Sequence, residues 1–286
     1  MYDIRQIELS EPSLQSYHRL LTEVFPTAAA QFTPAYLTWQ YVRNPAGPAV
    51  GFNAFAGETL AAHYVTLPIR VQLEGRACKG LLSLNTATHP QHQGKGLFTR
   101  LADATYQYAA SQGYELVVGV ANANSTPGFT RKLGFQLVAP LEARMGVGPL
   151  PAQDPRFTSE FEVLWDHELL GWRLANPSRT YRLRPRGESM RIEAPTGKAG
   201  IQAILGDFPR ALCPTALERT APASPNPVRL WLGIDPSRRF QRSLYTSIPK
   251  RLRPSPLNLI YRDLTGKRAS LDMSRLRFRA LDFDAY

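Results

Sequence analysis

The chain has 286 residues, of which 43% are hydrophobic and 20% charged, with a formal net charge of +11. That balance belongs to a globular protein with room for two domains, not to a disordered or fibrous one. No apolar run nears the roughly twenty residues of a membrane helix, and the opening Met1-Tyr2-Asp3-Ile4-Arg5-Gln6 lacks the basic start and apolar stretch of a signal peptide. Cys78 and Cys213, far apart in sequence, fit reduced, buried thiols in a cytoplasmic protein better than a disulfide framework.

In chain order, amphipathic helices are predicted over residues 11–24 and 33–42. The second enters through Thr33-Pro34, an N-cap followed by a first-turn proline. Strands follow near 50–56, 59–72 and 76–88, joined by turns at Gly57-Glu58 and Glu74-Gly75. Leu81–Ala87 feeds the segment Thr88-His89-Pro90-Gln91-His92-Gln93-Gly94-Lys95-Gly96-Leu97-Phe98. Leu97, Leu101, Ala104 and Tyr108 then recur at helical spacing up to a stop at Gly113. Glu115–Ala121 is apolar on both faces, as a central strand is. Asn122–Ser125 leads into a short helix that closes on Leu133-Gly134-Phe135. These elements predict an α/β (α+β) fold: a mixed central sheet, antiparallel first and then parallel across the helix, with helices on both faces.

Gly94-Lys95-Gly96, after a strand and at the start of a helix, lets backbone N–H groups converge on an anion, and the helix N-terminus adds partial positive charge. The dinucleotide fingerprint fails, because Thr99 stands where its third glycine belongs. A Walker-type loop fails on spacing as well. A tight turn without a ligand is the plain alternative. What remains, Gln91-x-x-Gly94-x-Gly96, resembles the Gln/Arg-x-x-Gly-x-Gly/Ala signature of the GNAT superfamily of acetyl-CoA-dependent N-acetyltransferases. The Leu133-Gly134-Phe135 ending is similar to that family's second signature.

The resemblance implies acetyl-CoA as cosubstrate and two strands that splay to admit its pantetheine arm. Thr86, Ala87 and Thr88 would present backbone to the arm. Gln93, Gly94, Lys95, Gly96, Leu97 and Phe98 would cradle the pyrophosphate, with Asn122, Ser125 and Phe129 beside the arm at the end of the second strand. No metal is implied. Many relatives carry a Tyr four residues before the glycine of the closing motif, aimed at the coenzyme sulfur. Here Thr130 takes that place, and its hydroxyl does not titrate usefully near neutrality. His63, on a strand that can face the acceptor, is the candidate catalytic base, with a packed core role as its alternative. Asn85 stands where an acid would be informative, and in some relatives the terminal carboxylate, here that of Tyr286, serves as base.

Composition shifts near 149–157, which divides the chain into residues 1–150, with net charge +2, and residues 151–286, with +9. The segment Tyr36-Leu37-Thr38-Trp39 to Asn44-Pro45 is echoed, with one deletion, by Leu169-Leu170-Gly171-Trp172 to Asn176-Pro177. The second half has no Gln-x-x-Gly-x-Gly. This layout resembles the GNAT subgroup of the enhanced-intracellular-survival type, a full N-terminal domain followed by a degenerate, smaller one. Trp39 and Trp172 are read as core anchors ahead of a substrate-stacking role. The alternating Arg182-x-Arg184-x-Arg186 and Arg275-x-Arg277-x-Arg279 are read as solvated strand faces ahead of a nucleic-acid surface.

The expected activity is acetyl transfer to a primary amine of a small molecule, such as an amino sugar, an aminoglycoside-like compound or a polyamine. The competing readings are a non-catalytic acyl-CoA-binding module and a nucleic-acid-binding protein.

Overall fold

The computed structural model describes residues 1–198, 200–253, 255–267 and 270–283; Tyr286 lies outside the described residues. The chain opens with β1 (Asp3–Gln6), α1 (Glu11–Val24) and α2 (Pro34–Leu37). The antiparallel strands β2 (Val50–Ala56), β3 (Thr59–Leu73) and β4 (Arg76–Thr88) lead to α3 (Leu97–Ser111) and β5 (Leu116–Ala121). Next come α4 (Thr126–Lys132), β6 (Gln136–Pro140) and β7 (Glu142–Gly146). The second half contains β8 (Phe161–Val163), α5 (His167–Leu174), β9 (Arg182–Arg186), β10 (Ser189–Pro195) and β11 (Gln202–Pro209). It ends with β12 (Arg229–Ile234), β13 (Tyr245–Ser247), β14 (Asn258–Asp263) and β15 (Leu276–Arg279).

Local chemistry explains the helices. Leu14, Tyr17, Leu20 and Leu21 bury one stripe of α1, whose first turn holds Pro12. In α3 the buried stripe is Leu97, Leu101, Thr105, Tyr106 and Ala109. The predicted helix over 33–42 begins as an α-helix capped by the Thr33 hydroxyl, which accepts from Tyr36 N–H at 3.1 Å, and then widens into a π-turn over Thr38–Val42. The wider turn buries the consecutive side chains of Trp39, Gln40 and Tyr41, an arc broader than one α-helical stripe.

The sheet shows an arrangement that chain order does not reveal. β14, from the second half, lies antiparallel between β5 and β6 of the first, with Ile260 opposite Gly119 on one side and Leu137 on the other. In return β7 lies antiparallel between β12 and β13, with Met145 opposite Leu230 and Thr246. The first half-sheet therefore runs β2-β3-β4-β5-β14-β6 and the second β9-β10-β11-β12-β7-β13, with β4/β5 and β11/β12 the parallel pair of each. β8 and β15 join the halves into one continuous sheet.

The repeated sequence segment meets itself across this arrangement. The Trp39 and Trp172 rings stack at 4.8 Å and 17°. The Trp39 indole N–H donates to Trp172 O at 2.8 Å, and that of Trp172 to Trp39 O at 3.0 Å. Both trailing asparagines are buried and shape the same turn: the Asn44 carbonyl accepts from Ala46 N–H, and that of Asn176 from Ser178 N–H. The two tryptophans are core anchors that mate the halves.

In the second half no α-helix joins β11 to β12 among the described residues. These strands pair only over Gln202–Ile204 and Arg229–Trp231, after which β12 takes β15 as partner through Gly233 and Ile234. The chain's own segment 276–283 thus occupies the gap, with Arg279 lying over the Phe208 ring. The reading of the arginine trios as solvated faces is corrected for Arg277 and Arg279, whereas Arg186 and Arg275 are exposed. Arg277 and Arg279 converge on Glu162 at 3.0 and 2.8 Å, and Arg238 bridges Asp207 and Asp235 at 2.9 and 3.0 Å. Burial is the reason: cations that lose water keep carboxylate partners. Cys78 and Cys213 are both free and buried, and no helix among the described residues is long and apolar enough to cross a membrane.

Because each half lends the other an inner strand, a chain cut after residue 150 leaves β5 and β6 with bare facing edges and β7 without partners. We expect residues 1–150 alone to show no cooperative melting by calorimetry, while the full chain melts in a single transition. A cooperative transition in the fragment would refute this.

Candidate active site

β4 and β5 pair in parallel from Gly80/Leu116 to Ser83/Gly119 and then separate. β4 continues along β3, but with a bulge: Leu84 faces Val65 and Ala87 faces His63, so Asn85 and Thr86 together oppose Tyr64. Asn85 takes φ of 46°, a left-handed conformation that asparagine tolerates better than most residues. From Leu84 to Thr88 the edge of β4 that faced β5 carries no strand partner among the described residues. Thr86 and Thr88 are half-buried there, and Ala87 is buried.

The loop begins where this edge ends. The His89 ring accepts from Gln91 N–H at 3.3 Å, and His89 also meets Glu23 at 3.0 Å. The Gln93 side chain donates to Thr88 O at 3.4 Å, and the Lys95 ammonium to Gln91 O at 3.3 Å. Gly94 and Gly96 have φ of 74° and 72°, and nothing lies within 4 Å of where a Cβ would stand on either. Their positive φ requires glycine, and the open space over them admits a bulky anion. Leu97 and Phe98 open α3, whose first-turn N–H groups have no acceptors within the helix.

The segment after β5 is tied down mainly within itself. The Asn122 side-chain oxygen accepts from the N–H groups of Asn124 and Ser125, both at 3.0 Å, and the Ser125 hydroxyl accepts from Asn122 N–H at 3.1 Å. Phe129 is buried and packs edge-on against Phe98 and Phe135, both at 5.1 Å. Thr130 donates its hydroxyl to Thr126 O at 3.0 Å, within α4.

A splayed parallel pair with a phosphate-type loop at its mouth is the geometry on which the comparisons with known proteins bear. Residues 3–138 match the profile of the acetyltransferase (GNAT) domain. The chain carries a GNAT acetyltransferase domain. The match ends within β6, so the strand that completes the domain's sheet, β14, lies beyond it.

Solved structures similar to this chain include a probable N-acyltransferase from Enterococcus faecalis, with 11% identity and a TM-score of 0.62 over 92% of this chain and 73% of that one. A GCN5-related N-acetyltransferase from Kribbella flavida gives 11% and 0.60 over 93% and 72%. Eis1 from Mycobacterium abscessus gives 10% and 0.57 over 92% and 74%. At these identities the likeness is one of fold. None of the curated proteins compared with the chain matches it. The chemistry of the GNAT family is acyl transfer from an acyl-CoA, with acetyl-CoA as cosubstrate.

Within this domain His63 lies beneath the cleft, fully buried. Its Nδ1 is 2.7 Å from Asn53 Oδ1 and its Nε2 is 3.1 Å from Tyr41 Oη. It stacks on Tyr17 at 4.4 Å. Burial holds its pKa down at about 3, so the ring is neutral near pH 7. The Asn53 amide donates to Tyr17 at 3.0 Å, so its oxygen faces His63 and accepts from Nδ1–H. Nε2 is then an acceptor for the Tyr41 hydroxyl, and that oxygen accepts from the Asn85 amide at 3.1 Å. Asn85 also donates to Gln40 at 2.7 Å, and Gln40 to Tyr36 at 2.7 Å.

A directed chain of hydrogen bonds therefore runs from the bulge residue to the buried histidine, with both ring nitrogens of His63 engaged. Sequence reasoning missed Gln40, Tyr41 and the structural part played by Asn85. An Asn inside an apolar strand run was the available signal for a bulge.

His63 sets a pH dependence. The unfolded ring takes a proton near pH 6.5 and the folded one only near 3, so the unfolded state binds more protons between those values. Its contribution to stability is full above pH 6.5 and falls as pH drops toward 3, by up to about 1.4 kcal/mol per pH unit. Denaturant unfolding at pH 7, 6 and 5 should show this slope in the wild type and a shallower one in His63→Gln. Equal slopes would contradict the assignment.

Proposed function

We propose that this protein transfers the acetyl group of acetyl-CoA to a primary amine of a small molecule, in the cytoplasm. Residues 1–150 are read as the acetyl-CoA-binding GNAT domain and residues 151–286 as a degenerate GNAT-like partner. The repeated strand order and the plugged gap between β11 and β12 support that division. The observation that carries the reading is the bare edge of β4, which runs from the Asn85 bulge straight into the glycine loop and the N-terminus of α3.

Thr86, Ala87 and Thr88 lie on that edge and are read as the backbone contacts of the pantetheine arm. Gln93, Gly94, Lys95, Gly96, Leu97 and Phe98 would hold the pyrophosphate, since the open space over the glycines fits it. Asn122, Ser125 and Phe129 bound the far side of the arm. Bound acetyl-CoA would supply a thioester, an acetyl carbon open to attack with a thiolate as leaving group. The amine nitrogen attacks that carbon, the C–N bond forms as the C–S bond breaks, and the proton lost by the amine balances the released thiol.

The chain's own part is electrostatic and positional. A backbone N–H on the bare edge of β4 serves the developing oxyanion without reorganisation. Thr130 spends its hydroxyl within α4, so the leaving group departs without a proton from that residue. His63, neutral and two hydrogen bonds behind Asn85, acts as a positioning residue, and the acceptor is deprotonated through water.

Acetyl-CoA held at about a hundred times its dissociation constant adds about 2.7 kcal/mol to folded-state stability. We expect a melting rise of several degrees with acetyl-CoA and CoA but not with NAD or ATP. A Gly96→Val variant should lose most of that rise, because a left-handed φ costs a branched residue roughly 1–2 kcal/mol and the side chain fills the anion space. Equal shifts for all four ligands, or an undiminished rise in the variant, would overturn the loop assignment. Appearance of free thiol with an amine panel then reads the transfer itself.

A further inference from the structure

A cavity of about 520 Å³ lies where the two halves exchange strands. Its walls are aliphatic: Leu141, Ala143, Leu230, Leu232, Ile248 and Leu257. Two of its lining residues are cationic, Lys198 and Arg253, and no Asp or Glu among the described residues lines it. Arg253 is fixed in place, its Nε donating to Ile248 O at 2.9 Å and its Nη1 to Leu141 O at 3.3 Å. Leu252, on the same wall, is 68% exposed, which leaves the apolar lining open to solvent at one side.

The cavity borders the splayed strands. Ser255, in its wall, accepts from Ala123 N–H at 3.3 Å, two residues past the end of β5. Leu257 immediately precedes Asn258, which pairs with Ala121, the last residue of β5. Its lining comes mainly from β7, β12 and β13 of the second half-sheet and from the segment between β13 and β14, so the cavity meets the end of β5 from the side of β14.

We propose that this cavity receives the acceptor, and that the acceptor is an amine carried on an apolar body with an anionic end. The inference rests on the acetyl-transfer reading for the amine and on the cavity alone for the rest. An alkyl or aryl body buries against the leucine walls, each methylene adding roughly fourfold to affinity. A carboxylate or phosphate at the far end meets Lys198 and the edge of Arg253. Polyamines and aminoglycosides would bring their charges to two cations with no carboxylate in the lining to offset them. The acceptor classes suggested by sequence are narrowed accordingly, away from polycations.

The test uses the full chain. Calorimetry without cosubstrate, with octanoate, octylamine and 1,8-diaminooctane as probes, reads the cavity by itself. Octanoate should bind most tightly and the diamine most weakly. Lys198→Glu and Leu252→Glu alter exposed side chains and leave folding intact; each should weaken octanoate by about tenfold. With acetyl-CoA present, 8-aminooctanoate should exceed 1,8-diaminooctane in kcat/KM by at least about tenfold, and Lys198→Glu should shrink or reverse that ratio.

Diamine binding as tight as that of octanoate, indifference of octanoate to both variants, or faster acetylation of the diamine would each overturn the proposal. If octanoate binds as described and responds to both variants, but no amine is acetylated, the acetyl-transfer reading fails while the cavity's preference for an apolar anion stands.

Discussion

The backbone hydrogen bonds that β14 makes inside the first half-sheet, and β7 inside the second, are the constraint on which the rest of the molecule depends. A central strand must satisfy its N–H and C=O groups on both edges, and here the group that does so comes from the far half of the chain. Leu259, Ile260 and Tyr261 of β14 are all buried, so a slip of one residue would carry Asn258 or Arg262 into the core. With that register fixed, the end of β5 stays where it can diverge from β4. The stacked indoles of Trp39 and Trp172 complete the union on the helical face, each ring closing on the other's backbone.

The candidate site draws on this frame in two ways. On one side, parting of β4 from β5 after Ser83 bares a strand edge that would otherwise be paired. On the other, the π-turn over Thr38–Val42 presents Gln40 and Tyr41 side by side, and both take up the amide of Asn85. A left-handed residue in the middle of a strand is held by its surroundings, and here a buried network running through His63 to Tyr17 does the holding. The second half has the same strand order without the corresponding opening. Its gap is closed by residues 276–283, and Arg238, Arg277 and Arg279 are paired with carboxylates there.

Much of the fold was legible in the sequence wherever the determining signal is local. Glycines at 94, 96 and 113 adopt positive φ, and the helix read from Leu97 onward ends at Ser111. The strand read over residues 115–121 spans Leu116–Ala121. The echo around Trp39 and Trp172 was visible as a repeat, though not that its copies face each other. Strand partnership was illegible because a run such as Asn258–Asp263 carries a period but no address: its neighbours are chosen by burial and register across more than a hundred residues. For the same reason Arg277 and Arg279 looked like a solvated surface, since their partner Glu162 lies on another strand. At the site, the glycine loop could be read from spacing, whereas the burial of His63 depends on Tyr17 and Tyr41 arriving from two separate helices.

The exchange of strands has a consequence for biosynthesis. β6 ends at Pro140, but the strand that must lie between it and β5 is not complete until Asp263. At roughly 5–20 residues per second, that interval lasts on the order of 6–25 s on the ribosome. Throughout it the nascent first half displays two unpaired strand edges, on Val117–Val120 and Leu137–Ala139, of the kind that recruits other chains. Shielding of the emerging polypeptide, or a pace of translation that brings residues 141–263 out quickly, then bears directly on how much of this protein reaches its native form.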